Sequence, residues 1–191
     1  SAGAGVGTTG GSFAFSIKEN NFLGTGVKLN SSLDMTTEAI RLKFATVNPN
    51  FRSSGNSLST NIESTKTDKV KTAGFESTNT GFSVSTSFEQ YESFYISLGT
   101  SAFYETIDTT SDASTTLKKM DGSYGTFNFN YSLINDKRNQ KWQPTAGHVS
   151  NFSQRIPLYA TSPSLLNSFD VSAYKSFSDE MVGSIKLYSR A

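Results

Sequence analysis

The chain has 191 residues, of which 35% are hydrophobic, 13% aromatic and 17% charged, and its 17 basic and 16 acidic residues leave a net charge of +1. A charged fraction below the roughly 25% of an average soluble domain, with Ser, Thr, Asn and Gly in its place, excludes a charge-rich helical protein and a charged disordered segment. The near-neutral balance leaves no electrostatic footprint for nucleic acid, and the lack of cysteine excludes a disulfide scaffold, a thiolate metal site and a cysteine nucleophile. No run of about 18 apolar residues could form a membrane-spanning helix. A membrane-spanning β-strand needs only about 9–11 residues with one apolar face. The negative mean hydropathy therefore fits both a soluble β protein and a barrel in lipid. With no initiator Met, no export signal and no punctuation at either end, the chain reads as an internal piece of a longer protein.

In chain order, a first strand is expected over Ser1 to Gly7, with glycine at Gly3, Gly5 and Gly7. From Ser12 to Lys18, Phe13, Phe15 and Ile17 alternate with Ser12, Ala14, Ser16 and Lys18, the period of a strand. Val27, Leu29, Ser31 and Leu33 repeat it, and between Ala39 and Val47 the residues Ile40, Leu42 and Phe44 alternate with Arg41, Lys43 and Ala45. The pattern continues through Phe82-Val84-Thr86-Phe88, Phe94-Ile96-Leu98, Phe127-Phe129-Tyr131-Leu133 and Ile185-Leu187. Helical spacing is hard to find, because candidate stretches are broken by Gly or dominated by Ser, Thr and Asn. The chain divides into about eleven strands at roughly one per 15–20 residues, longer than the 8–12 residue rhythm of a sandwich. The fold class is all-β, an antiparallel up-and-down meander of the transmembrane-barrel type.

The connections alternate. The second, fourth, sixth, eighth and tenth hold stereotyped turn chemistry: Asn20 to Gly26, Asn48 to Asn56, Glu89-Gln90-Tyr91-Glu92, Lys137 to Gly147, and Ser178-Asp179-Glu180. The odd ones are expected to be loose Thr/Ser/Lys/Asp stretches, such as Ser64 to Lys71 and Ile107 to Gly122. Short turns on one side and variable loops on the other are the asymmetry of an outer-membrane barrel.

Chemical motifs are weak. Gly5-Val6-Gly7-Thr8-Thr9-Gly10 matches the dinucleotide fingerprint G-x-G-x-x-G, but a strand pattern follows it where the mechanism needs a helix N-terminus. A glycine-rich edge strand entering a turn accounts for the same residues. His148, the only histidine, follows a Pro-Thr-Ala-Gly turn at a strand start and reads as a surface or wall residue. No G-x-S-x-G elbow surrounds any serine, and Asp108, Asp112, Asp121, Asp179 and Glu180 are scattered through loops. The expectation is a protein that is not an enzyme, with no catalytic, cofactor-binding or metal-ligating residue. On a membrane strand Arg41 and Lys43 belong on the lumen side, since a cation at the lipid-facing midplane costs about 2–4 kcal/mol. Phe13, Phe15, Ile17, Ile40, Leu42, Phe44, Phe127 and Phe129 then face lipid.

Three ordered segments resemble a known family. Asn20-Asn21-Phe22-Leu23-Gly24-Thr25-Gly26 is similar to the N-x-[WF]-L-G-T-G turn after the second barrel strand of the BamA family of outer-membrane β-barrel assembly proteins. Val47-Asn48-Pro49-Asn50-Phe51 resembles its T-N-P-x-F turn after the fourth strand, and Trp142-Gln143-Pro144-Thr145-Ala146-Gly147 its aromatic-x-P-T-x-G turn before the ninth. The resemblance covers essentially the whole chain. It implies that residues 1–191 are a partial outer-membrane barrel domain, about eleven of about sixteen strands, lacking the preceding POTRA domains and the closing strands. It further implies residence in the bacterial outer membrane, a role in folding and inserting β-barrel proteins, and unfolded outer-membrane proteins, assembly-complex lipoproteins and the bilayer as partners. The lateral seam of such a protein falls on the first strand, at Gly3, Gly5 and Gly7, where three glycines leave the strand weakly specified. The sixth-loop motif of the family lies outside the sequence. Rival readings are a two-partner-secretion or passive porin-like barrel and, further off, a soluble β-sheet adhesin.

Overall fold

The computed structural model describes residues 2–7, 10–178 and 181–191. Within them every strand pairs antiparallel with its sequence neighbours, in the order β1 to β11, as one open sheet. The strands are β1 (Ala2–Gly7), β2 (Gly10–Phe22), β3 (Val27–Thr36), β4 (Ala39–Asn48), β5 (Ser57–Lys69) and β6 (Phe75–Tyr91). They continue as β7 (Phe94–Thr109), β8 (Gly122–Asp136), β9 (Ala146–Ala160), β10 (Leu166–Ser178) and β11 (Met181–Arg190). Ser1, Thr8 and Thr9, and the Asp179 and Glu180 of the tenth connection, lie outside the described residues. The expected all-β meander is thus the observed one, and β2 follows the glycine-rich Gly5 to Gly10 stretch where a nucleotide site would need a helix.

The register sorts the side chains onto two faces, because residues directly opposite in paired strands share a side. One row runs Ile17, Ser31, Phe44, Ile62, Phe82, Ala102, Phe127 and Tyr159. Another on the same face runs Phe15, Leu33, Leu42, Ser64, Thr80 and Tyr104. On the other face lies the row Ser16, Ser32, Lys43, Glu63, Gly81, Phe103 and Thr126. The first face is apolar and open: Phe13, Phe15, Ile17, Ile40, Leu42, Phe44 and Phe127 are all exposed. Among the described residues the buried hydrophobic side chains are Ile107 and Ala113, each 6% accessible, and no large side chain is fully buried. The sheet has an apolar surface in place of a core.

Two stretches expected to be loose are ordered. Ser64 to Lys69 belongs to β5, and Ile107 to Thr109 ends β7. Ser and Thr serve as strand residues here because their hydroxyls satisfy one another across the ladder. Thr46 Oγ1 and Thr60 Oγ1 are 2.6 Å apart and Ser64 Oγ and Thr80 Oγ1 2.9 Å apart, so these four hydroxyls on the apolar face are paired. The connections beyond them form single helical turns, α1 (Val70–Ala73) and α2 (Thr115–Lys118). Gly74, at φ 72°, ends α1 with its carbonyl accepting from Thr110 N at 2.8 Å, which packs the two connections together around Ala113.

Candidate functional site

Two places carry the residues singled out by sequence: the free edge at β1 and the turns at one end of the sheet. β1 is six residues long, against 10 to 17 for the other strands. Gly3 opposes Ala14, Gly5 opposes Ser12 and Gly7 opposes Gly10. A Cβ at Gly3 would meet nothing within 4 Å, and one at Gly5 only the Ser12 hydroxyl at 3.2 Å. Neither glycine has positive φ. Close packing and backbone conformation therefore do not require glycine at Gly3, and what it contributes is looseness. The backbone is paired on one side only, with β2.

Gly81, inside the sheet, and Gly183, on β11, behave differently. At Gly81 the Phe103 ring, opposite in the register, occupies the space of the missing Cβ, 2.2 Å from where it would stand. At Gly183 the Phe177 ring does the same at 2.5 Å. These positions need glycine so that a ring can close over the backbone.

The even-numbered connections gather at the end opposite α1 and α2, and each described one is tied by a side-chain oxygen reaching across the turn. Between β2 and β3, Asn21 Oδ1 accepts from Gly26 N at 2.6 Å and Thr25 Oγ1 donates to the Phe22 carbonyl at 2.6 Å. Leu23, Gly24 and Gly26 all have positive φ, which explains the two glycines. Between β4 and β5, Asn50 Oδ1 accepts from Gly55 N at 2.8 Å, and Asn48 Oδ1 from Asn50 N at 3.1 Å. Pro49 separates the two Asn side chains, and the Arg52 guanidinium lies 5.2 Å over the Phe51 ring. Between β6 and β7, Glu89 Oε1 accepts from Ser93 N at 2.8 Å.

Between β8 and β9, Asn139 Oδ1 accepts from Thr145 N at 3.1 Å and Ala146 N at 3.2 Å, while its amide donates to Thr145 Oγ1 at 2.7 Å. Gly147, at φ 91°, passes so near Lys137 that a Cβ would stand 2.1 Å from its carbonyl oxygen. Arg138 and Asp136 form a 2.7 Å ion pair at the mouth of this turn, and that hydrogen-bonded carboxylate raises the Arg138 pKa. Pro144 precedes the clasped Thr145. Asn139 escaped the sequence reading. Its signal was an Asn five residues ahead of Pro144, the same interval as from Asn21 to Gly26 and from Asn50 to Gly55.

On the two faces, Ile40, Leu42 and Phe44 share the apolar side, with Phe129 half-buried there and its ring 6.4 Å from Tyr131. Arg41 and Lys43 lie on the polar side, opposite Asp34 and Glu63 respectively. His148 opposes Ala173 and offers its carbonyl to Lys137 N at 2.8 Å. The polar side is lined around Arg155 by Ser83, Ser85, Ser97, Asn130 and Ser153.

A family model described as the Omp85 superfamily domain matches residues 21–188. Among solved structures the chain is similar to the crystal structure of BamA from Haemophilus ducreyi lacking POTRA domains 1-3, at a TM-score of 0.69 and 19% identity. That likeness covers 99% of this chain and 40% of the other, so the chain spans about two fifths of the structure it matches. No curated protein matches it.

Proposed function

The chain belongs to the Omp85 superfamily, and from that premise we propose that it forms part of a barrel wall in the bacterial outer membrane, where the free edge of β1 acts as a lateral seam for assembling other β-barrel proteins. The observation that carries this reading is a six-residue edge strand bearing Gly3, a glycine that no neighbour requires. An edge strand presents unpaired N–H and C=O groups as a template for another chain. A strand without side chains to lock it exchanges partners at lower cost. Incoming strands of unfolded outer-membrane proteins are the clients, assembly lipoproteins act alongside, and the work needs no covalent chemistry.

The apolar face supports the membrane side of the proposal. On β2 it is unbroken only from Phe13 to Ile17, with Glu19 next on the same face before Phe22, whereas on β7 it runs from Phe94 to Tyr104. At about 3.3 Å per residue those are roughly 17 Å and 36 Å along the strand. The bilayer next to β1 must thin to meet so short a band, which lowers the barrier for a client entering there. A soluble adhesin would have to cover this face, and none of the described residues does. In lipid the open β1 and β11 edges need strand partners, because each unpaired backbone group there costs several kcal/mol; we assign residues 1–191 to a barrel completed by other segments, with the apolar face to lipid and Arg41 and Lys43 to the lumen.

The test uses the full-length protein carrying Gly3→Cys or Gly5→Cys and a client carrying a cysteine in its last strand. Disulfide crosslinks are expected at these positions during assembly. Their absence along the whole of β1, with the barrel folded, would reject the seam in favour of a passive or secretion barrel.

A further inference from the structure

Arg155 on β9 stands apart from the cations of β4. Arg41 and Lys43 oppose carboxylates, whereas Arg155 opposes Asn130 on β8 and Leu166 on β10. The ion pairs among the described residues are Lys66 with Glu76 and Arg138 with Asp136, so the exposed Arg155 guanidinium has no carboxylate partner among them. Its surroundings are small and uncharged. In the row beside it Ser57, Ser87, Ser97, Ser132, Ser153 and Ser168 follow one another across six strands. Side chains this short leave open space above the backbone, and two cavities of about 310 Å³ each share Arg155 as a wall. One is lined by Tyr124, Thr126 and Asn128 of β8, the other by Asn130 and Ser132 of the same strand. Together they make a trough along β8. At about 3.3 Å per residue, Tyr124 to Ser132 spans roughly 26 Å, the reach of an extended segment of about eight residues.

Polar groups in the trough lack partners. Asn130 Nδ2 donates to Ser101 Oγ at 3.0 Å. Asn128, two residues earlier and only 6% accessible, makes no side-chain hydrogen bond with any described residue, although it lines the cavity. A buried amide with donor and acceptor both unused calls for a partner that offers both. Glu105, opposite Tyr124, lines the same cavity and is also outside any ion pair among the described residues.

We propose that this trough binds an extended polypeptide segment bearing an acidic side chain. The carboxylate meets the planar fork of the Arg155 guanidinium through two N–H donors. A peptide group, with one N–H and one C=O, satisfies the Asn128 amide. Glu105 sets the direction of the segment by favouring a neutral or basic residue at its own end. The same carboxylate repels phosphate, which offers mainly acceptors and leaves the Asn128 oxygen unpaired. The segment reaches the trough because, on the membrane-spanning reading above, the polar side is the lumen; the seam at β1 plays no part.

The test uses the full-length protein in phospholipid vesicles, carrying Ser153→Cys in the trough or Ser59→Cys outside it on β5, and a neutral, water-soluble thiol reagent. A segment of the same protein seated in the trough should make Ser153→Cys react about tenfold more slowly than Ser59→Cys, and Arg155→Glu, by removing one charge-assisted contact, should restore the rate. Arg155→Lys should keep part of the protection, and Arg155→Gln replaces the charge reversal if that variant does not fold. Where Ser153→Cys is as reactive as Ser59→Cys from the start, three probes are added in turn: a Gly/Ser peptide carrying one Asp, the same peptide with Lys for Asp, and inorganic phosphate. Slowing by the Asp peptide alone, abolished by Arg155→Glu, assigns the trough to a segment of another chain. Protection that survives Arg155→Glu, protection by the Lys peptide or phosphate equal to that by the Asp peptide, or no protection under any condition overturns the proposal and leaves the membrane-spanning reading standing. Two unreactive cysteines reject a water-filled lumen and the trough with it.

Discussion

Glycine has three different roles in this chain, and the residues around each one tell them apart. At Gly24, Gly26 and Gly147 the backbone has positive φ, at Gly81 a ring occupies the Cβ position, and at Gly3 nothing is near. Substitution should separate these roles. Gly147→Ala forces both a left-handed alanine and a clash with the Lys137 carbonyl, and a strained residue of this kind costs of order 1–3 kcal/mol. Gly3→Ala meets open space and restricts the unfolded chain, so it should be neutral or stabilising by up to about 1 kcal/mol while slowing client assembly. Urea titration of the full-length protein in vesicles, read beside a client-folding assay, checks both. The turn glycines were legible in the sequence because a positive-φ turn restricts residue type locally. Asn139 was not, since the backbone N–H groups it accepts from are brought to it only by a path that folds back six and seven residues later.

At the level of elements, large apolar residues announced β2, β4, β6, β7 and β8, and their absence hid the outer half of β5. Leu58, Thr60, Ile62, Ser64 and Lys66 alternate faithfully, but with hydroxyls where a hydrophobicity pattern looks for carbon. The outer connections were obscured for a related reason: Thr, Ser and Asp there form specific bonds that composition does not reveal. Asp121 Oδ2 accepts from both Thr109 N at 2.8 Å and Thr109 Oγ1 at 2.7 Å, closing the β7–β8 connection at its base. These bonds hold the Asp121 carboxyl below its ordinary value of 3.8. A depressed carboxylate pKa stabilises the closed connection above the unfolded value and loses that contribution as pH falls through the folded one. The Thr109 amide should therefore be protected from hydrogen exchange at neutral pH, lose protection only below the ordinary carboxylate range, and be unprotected at neutral pH in Asp121→Ala. Equal protection in the variant would show that the latch does not hold the connection.

For the whole molecule, the 35% hydrophobic share marks a surface, and the two faces should differ sharply in what they tolerate. Phe44 and Ala45 are consecutive on β4 at nearly the same depth, and only the face separates them. Phe44 sits in the apolar row between Ser31 and Ile62, and Ala45 in a polar row between Asn30 and Asn61. An arginine at the lipid-facing midplane costs about 2–4 kcal/mol. On the polar side it joins Arg41 and Lys43 and gains a partner, because the buried Asn61 Oδ1 directly opposite accepts no hydrogen bond. Phe44→Arg should accordingly lower the unfolding free energy in vesicles by about 2–4 kcal/mol, and Ala45→Arg by less than about 1 kcal/mol despite the larger change in volume. Equal costs would mean that the two faces see the same medium, as in a soluble sheet with both sides wet. A difference of the stated size would place lipid on one side of a single strand and water on the other, which is the condition on which the seam at β1 depends.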